Sequence, residues 1–272
     1  MKNILCFVFG IVTTLLVWGQ DRTQNSDTLL VKNRTLLYSQ DDSNMIKSQG
    51  DSAYIRHDYA SAIQIYEELL KTGESADIYY NLGNSYYKLD NIAKAILNYE
   101  RALLLDPGDS DVRANLEIAK AKTVDKAVTI PDVFFVAWFK SLINCLNADV
   151  WGIVGIVCFV LLLFSLCVFL FSKRIILKKA GFISTVTLLI FVVFSNLFAS
   201  QQKHRMIMRN KAIVLQPSVA VRSTPSETGT SLFILHEGYK VEIKDDSMRD
   251  WKEIQLEDGK VGWLPTTAIE II

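Results

Sequence analysis

Two long apolar blocks, Val150 to Ser172 and Ala180 to Ala199, set the strongest constraint on how this chain can fold. Each has about the length needed to cross ~30 Å of hydrocarbon as a helix, and residues 154–171 carry no charge at all. Residues 173–179 between them are too few to make a domain, so the pair reads as a helical hairpin whose two flanks lie on the same side of a membrane. Lys173, Arg174, Lys178 and Lys179 favour a cytoplasmic loop. Lys203, Arg205, Arg209 and Lys211 follow the second block, however, so a count of charges leaves the orientation open. A third, shorter block settles it. Ile4 to Val17 stands behind Lys2 and has the length of a signal-peptide core rather than of a span. Residues 1–19 are read as a signal peptide, cleaved between Gly19 and Gln20, with an uncleaved anchor as the alternative. Both readings carry the following domain across the membrane. Cys6 lies inside the apolar core, too early to be a lipidated cysteine.

Composition narrows the function classes. The 50% apolar content is concentrated in these blocks and overstates the size of any soluble core. Lys+Arg and Asp+Glu each total 29, and no basic run with interleaved aromatics marks a phosphate-binding surface, so nucleic acid is not expected as a partner. Cys158 and Cys167 are nine residues apart, on opposite faces of a helix, and Cys145 lies just before the first span. This usage provides neither a disulfide framework nor a zinc ribbon.

Residues 20–44 are rich in Asp, Ser, Asn and Thr and read as a linker. From Met45 the pattern is helical, and it repeats. Tyr54 to Glu67 reappears as Tyr87 to Glu100, Ala62 recurs as Ala95 and Gly50 as Gly83, a period of 33 residues. Self-similarity at this spacing marks a helical solenoid. Gly83 and Ala95 let two helices approach closely, and Ala102 admits the next one. Tyr79, Leu82, Tyr86 and Tyr99 fill the remaining volume, while Pro107 ends the second helix. Those eight residues fall on all the family positions of the tetratricopeptide repeat (TPR), which the second copy closely resembles. Asp109 to Lys122 reads as a half-length third unit covering the apolar edge of a domain over residues 45–124. Fewer than three full repeats make such a domain marginal alone unless it borrows burial from elsewhere. The resemblance places a partner-binding groove on Asp77, Tyr80, Asn84, Tyr87 and Lys88; taken singly, each also reads as ordinary solvated surface. The variant that clamps a C-terminal carboxylate needs basic residues where Asp111 and Asn115 stand, so that ligand class is not expected.

Within residues 130–148, Phe134, Phe135, Trp138, Phe139, Leu142, Ile143 and Leu146 recur at helical spacing. They form an amphipathic helix that either lies in the membrane interface or packs on the edge of the repeats. From Ala212 the period changes to two: Val219 and Val221, Val241 and Ile243, Ile254 and Leu256 alternate with polar residues, and Asp258-Gly259 demands a tight hairpin. Residues 212–272 thus read as a small barrel of five or six strands. Val219–Ser223, Glu237–Ile243, Trp251–Ile254 and Gly259–Pro265 resemble the bacterial SH3 family, most specifically at Gly262-Trp263. That resemblance implies binding of wall peptides or protein segments, with Tyr239, Trp251 and Trp263 as the aromatic candidates. A module this small also needs large side chains inside, and the core is the favoured place for Trp251 and Trp263. Asp245, Asp246 and Asp250 lack calcium-loop spacing and read as a solvated loop.

The fold class is therefore multi-domain: an all-α TPR solenoid, a two-helix transmembrane hairpin and an all-β SH3-like small barrel. His57, His204 and His236 sit in three different regions, and no nucleophile elbow or glycine-rich phosphate loop is present, so neither enzyme activity nor a cofactor is expected. The order of modules, with Tyr80–Asn84 and Tyr99–Ala102, resembles the E-type proteins of the Bat (aerotolerance) operons. This resemblance implies an inner-membrane scaffold with both domains in the periplasm. Its implied partners are von Willebrand A-type membrane proteins, another TPR protein and, indirectly, a MoxR-type AAA+ ATPase. A sensor that binds peptidoglycan through the C-terminal module is the alternative.

Overall fold

The computed structural model describes residues 43–126 and 133–272, so the signal-peptide reading lies outside the described residues. Five helices come first: α1 over residues 43–55, α2 (Tyr59–Leu70), α3 (Ala76–Lys88), α4 (Ile92–Leu105) and α5 (Ser110–Ala121). The 33-residue period is written into their local chemistry. His57 and Asp90 adopt the left-handed conformation that closes the tight turn after α1 and after α3. The next residues, Asp58 and Asn91, cap α2 and α4 by accepting from the amides of Ser61 and Lys94. Gly50 and Gly83 face the rings of Tyr66 and Tyr99, so closely that a Cβ at either position would meet a ring carbon at 2.6–2.7 Å. The two phenols end on equivalent acceptors, Tyr66 on Asp51 and Tyr99 on Asn84, each at 2.7 Å. Ala62, Tyr66, Ala95, Tyr99 and Ala102 are buried, and α5 closes the array with Val112, Leu116 and Ala119.

A short helix, α6 (Phe134–Ile143), precedes the hairpin α7 (Ala148–Phe171) and α8 (Ile175–Ile207). Both hairpin helices are long and apolar enough to cross a membrane. Most of their side chains are exposed, which is not the condition of a core helix in a soluble fold. Only Ser172, Lys173 and Arg174 separate them; Lys178 and Lys179 stand in the first turns of α8 rather than in the loop. The helix starts early because neither Pro nor Gly interrupts Ile175 to Ala180. The seam between the helices is built from small and hydroxylated residues. Gly181 lies against the backbone of Phe169, Ser165 donates to the Gly181 carbonyl at 3.0 Å, and Ser195 donates to the Trp151 carbonyl. Packing of this kind holds helices together where no hydrophobic driving force separates them from lipid.

The remaining chain forms a seven-stranded antiparallel sheet: β1 (Lys211–Val214), β2 (Ser218–Arg222), β3 (Ser231–His236), β4 (Lys240–Asp245), β5 (Trp251–Gln255), β6 (Val261–Pro265) and β7 (Ile269–Ile271). The strand order is β3-β2-β6-β5-β4-β1-β7. Gly259, at a φ of 88°, makes the turn that joins β5 to β6. Val219, Val221, Leu235, Val241, Ile254 and Leu264 fill one face of the sheet. Gly262 is required there, since a Cβ would sit 2.4 Å from Cγ1 of Val221. The multi-domain class expected from the sequence is thus what the chain adopts: helical repeats, an apolar hairpin and an all-β module.

Gly83→Ala tests the repeat packing. Its new methyl displaces the Tyr99 ring, which is held by Asn84, and overpacking of this kind costs about 1–3 kcal/mol. The expected result is a Tm several degrees lower for the full chain in detergent, measured by the near-ultraviolet circular dichroism of the tyrosines.

Candidate binding surfaces

One candidate surface lies along α3. Tyr80, Asn84 and Tyr87 share a face of this helix at spacings of four and three residues and are half-buried, while Asp77 and Lys88 are exposed. Three of the five are already engaged from within. Asn84 accepts from the Tyr99 hydroxyl at 2.7 Å and from Nδ2 of Asn115 at 3.0 Å, and the same Nδ2 donates to the Tyr80 hydroxyl at 3.1 Å. Lys122 Nζ lies 4.4 Å over the Tyr87 ring and 3.1 Å from Asp90. Applying the 33-residue period to Asn84 and Tyr87 leads to Asp51 and Tyr54, which sequence reasoning passed over although the repeat itself was the signal. Asp51 accepts from Asn81 as well as from Tyr66, so it repeats the role of Asn84. Tyr54 is edge-on to Tyr59 at 5.3 Å, and its phenol is pushed up first by burial, then by Tyr59 and Tyr80. The surface is therefore a row of tyrosines, Tyr54, Tyr80 and Tyr87, stiffened by amides beneath it. Such rows supply large, rigid contact area with a polar tip.

The β-module divides its aromatic residues between two faces. Tyr239 belongs to the core cluster, and burial is the leading cause that raises its phenol. Trp251 and Trp263 do not belong to it. Cross-strand partners share a face, and the register pairs Trp263 with Glu253 and Arg222, whereas Ile254 pairs with Gly262 and Lys252 with Leu264. The core side carries Ile254, Gly262 and Leu264. Both tryptophans stand on the opposite face, half-buried, together with the exposed Ile234. The module closes its core with aliphatic side chains from six strands, which removes the need for tryptophan inside.

A third contact joins the repeats to the β-module. Glu100 of α4 is almost fully buried and bonds Lys240 of β4, with Lys120 of α5 at 3.2 Å on its other oxygen. Burial alone would raise this carboxyl, but the ammonium groups of Lys240 and Lys120 outweigh it and hold Glu100 below the usual carboxylate range. Arg101 donates to Glu270 at 2.9 Å and to the Ile271 carbonyl at 2.5 Å. Asp125 accepts from the His236 amide at 2.7 Å, and Ile213 is fully buried on the side of the sheet facing α4. Arg209, where α8 leads into β1, forms a two-pronged ion pair with Glu74, which holds the Glu74 carboxyl low. Neither Glu100 nor Arg101 carried an interface signal in the sequence, because one charged pair on a helix has no periodicity to read.

Residues 76–109 match the family model of the tetratricopeptide repeat. The segment coincides with α3, α4 and the turn after them, and it identifies the class of module: a repeat through which proteins hold other proteins. A comparison with curated proteins found no match.

Glu100→Gln tests the junction. Removing a charge bonded to two lysines costs about 2 kcal/mol near neutral pH. The folded-state pKa of Glu100 lies below its unfolded value, so this contribution is complete above the ordinary carboxylate range and is lost as pH falls through the folded pKa. The Tm difference between wild type and Glu100→Gln is expected to be several degrees near pH 7 and to shrink below about pH 4.

Proposed function

We propose that this chain is a non-enzymatic scaffold, anchored in a bacterial inner membrane by α7 and α8, that captures a protein segment on the tyrosine row of its repeats. The observation that carries the reading is the matched repeat at residues 76–109, with Tyr80 and Tyr87 at its surface, in a chain that also carries an apolar hairpin of span length. The β-module docks on α4 and α5, so the row on α3 keeps its own face for a partner. The resemblance of the whole module order to the Bat E-type proteins supplies the partner class, a von Willebrand A-type membrane protein within an envelope complex for stress tolerance. The similarity of the β-module to bacterial SH3 domains adds a second reading, wall-peptide binding, supported by the placement of Trp251 and Trp263 on the face away from the core.

Tyr80→Ala/Tyr87→Ala separates the two. Deleting two aromatic anchors from a binding row costs about 2–4 kcal/mol, so recovery of a von Willebrand A-type protein with the tagged chain from solubilised membranes should fall at least ~30-fold. Unchanged recovery contradicts capture on this row. Retention of the full chain on purified peptidoglycan that survives this double substitution but is lost in Trp251→Ala/Trp263→Ala supports the wall reading instead.

A further inference from the structure

A cleft of about 490 Å³ opens where the apolar hairpin gives way to the water-exposed modules. Six cationic side chains line it: Arg113 of α5, Lys140 of α6, Arg205 and Arg209 at the end of α8, Lys211 of β1 and Lys240 of β4. One acidic side chain, Glu100, lines it with them.

The internal pairings account for only part of this charge. Lys240 is bonded to Glu100 and Arg209 to Glu74. Arg113 and Arg205 have neutral partners: the Pro107 carbonyl at 2.7 Å and Oδ1 of Asn144 at 3.3 Å. Arg113, Arg205 and Lys211 form no ion pair among the described residues. Lys211 lines the same cleft as Lys240 and Arg205. Although its surface is still exposed, the protein packed around it pushes its ammonium below the usual lysine range, and Lys240 and Arg205 add to this against the opposing pull of Glu100 and Glu242. Like charges gathered at a concave site raise the local concentration of anions.

What surrounds the cleft indicates which anion. Helix α6 brings Lys140 to the rim and exposes Phe134, Phe135 and Trp138 beside it. It is fastened to both hairpin helices: the Phe139 ring is edge-on to Phe198 at 5.4 Å, and Trp151 Nε1 donates to the Ile143 carbonyl at 3.0 Å. Gln202, one turn before Arg205, donates to the carbonyls of Ile143 and Leu146. Apolar aromatic surface therefore borders the cations at the depth where a membrane-embedded helix pair would leave hydrocarbon.

We infer that this cleft binds the phosphate of an anionic membrane lipid, whose acyl chains lie along α6 and the exposed flank of the hairpin. The inference rests on the membrane reading of α7 and α8. Bound lipid would join α5, α6, α8 and the β-module at one point, adding a second fastening to the ion pair at Glu100.

Native mass spectrometry of the full chain in detergent, titrated with phosphatidylglycerol or with phosphatidylcholine, tests this. Phosphatidylglycerol should bind roughly tenfold more tightly, and Arg113→Gln/Arg205→Gln, two exposed positions, should remove that preference. Lys178→Gln/Lys179→Gln, at the other end of α8, should leave it intact. Equal loss in both pairs of variants, or no preference in the wild type, overturns the cleft as a lipid site while leaving the membrane reading standing. Glycerol 3-phosphate competing at the same concentration as the lipid shows a site for free phosphate esters and overturns the lipid assignment. Recovery of the protein in soluble form without detergent overturns both the membrane reading and this inference.

Discussion

Glu100 is buried between two lysines from different parts of the chain, and the arrangement of the soluble modules depends on it. A carboxylate taken out of water is tolerated only when its charge is met, and here Lys120 from the repeats and Lys240 from the β-module meet it together. Neither lysine is deeply buried. The acid therefore loses one of its two ammonium partners, Lys240, as soon as the modules separate. Arg101 with Glu270 and Asp125 with the His236 amide extend the same logic along the interface. This junction also answers the shortage of repeats. One full repeat, one partial one and a capping helix bury little surface alone, and the sheet, with Ile213 fully buried beneath α4, adds to what they bury.

For a helix pair that crosses a membrane, such a junction demands that the chain return to the side it left. A turn of three residues between α7 and α8 does so, because two antiparallel helices of similar apolar length begin and end at the same level. The polar seam of Ser165, Gly181 and Ser195 keeps the pair in register, and Arg209 ties the end of α8 back to Glu74 in the repeats. The two candidate partner surfaces, the tyrosine row on α3 and the tryptophan face of the sheet, are left on separate faces.

Much of this was legible in the sequence, for reasons that differ from element to element. The repeat was readable because its period governs turns, caps and ring contacts alike: His57 and Asp90, Asp58 and Asn91, Gly50 and Gly83 each recur at 33 residues. The hairpin was readable because two uninterrupted apolar blocks of span length, separated by a few basic residues, leave little choice but a helix pair. The placement of Trp251 and Trp263 was not. Alternation fixes which residues share a face, but the choice between core and surface fell to Ile254, Leu264 and Val221, which fill the available volume without them. Tyr239 shows the reverse: a residue read as recognition surface stands in the core. The Glu100 junction and the cationic cleft were least accessible, since both are assembled from residues more than a hundred positions apart and become neighbours only once the modules dock.

The central claim is that the repeats and the β-module occupy the same side of a membrane that the hairpin crosses twice. Single cysteines at exposed Ala114 and Thr228, in a chain with Cys145, Cys158 and Cys167 replaced by serine or alanine, measure it directly with a thiol reagent that cannot cross the inner membrane. The account predicts that both positions label in intact cells. Labelling at one position and protection of the other until lysis would place the two modules on opposite sides, which contradicts the hairpin and the Glu100 junction together.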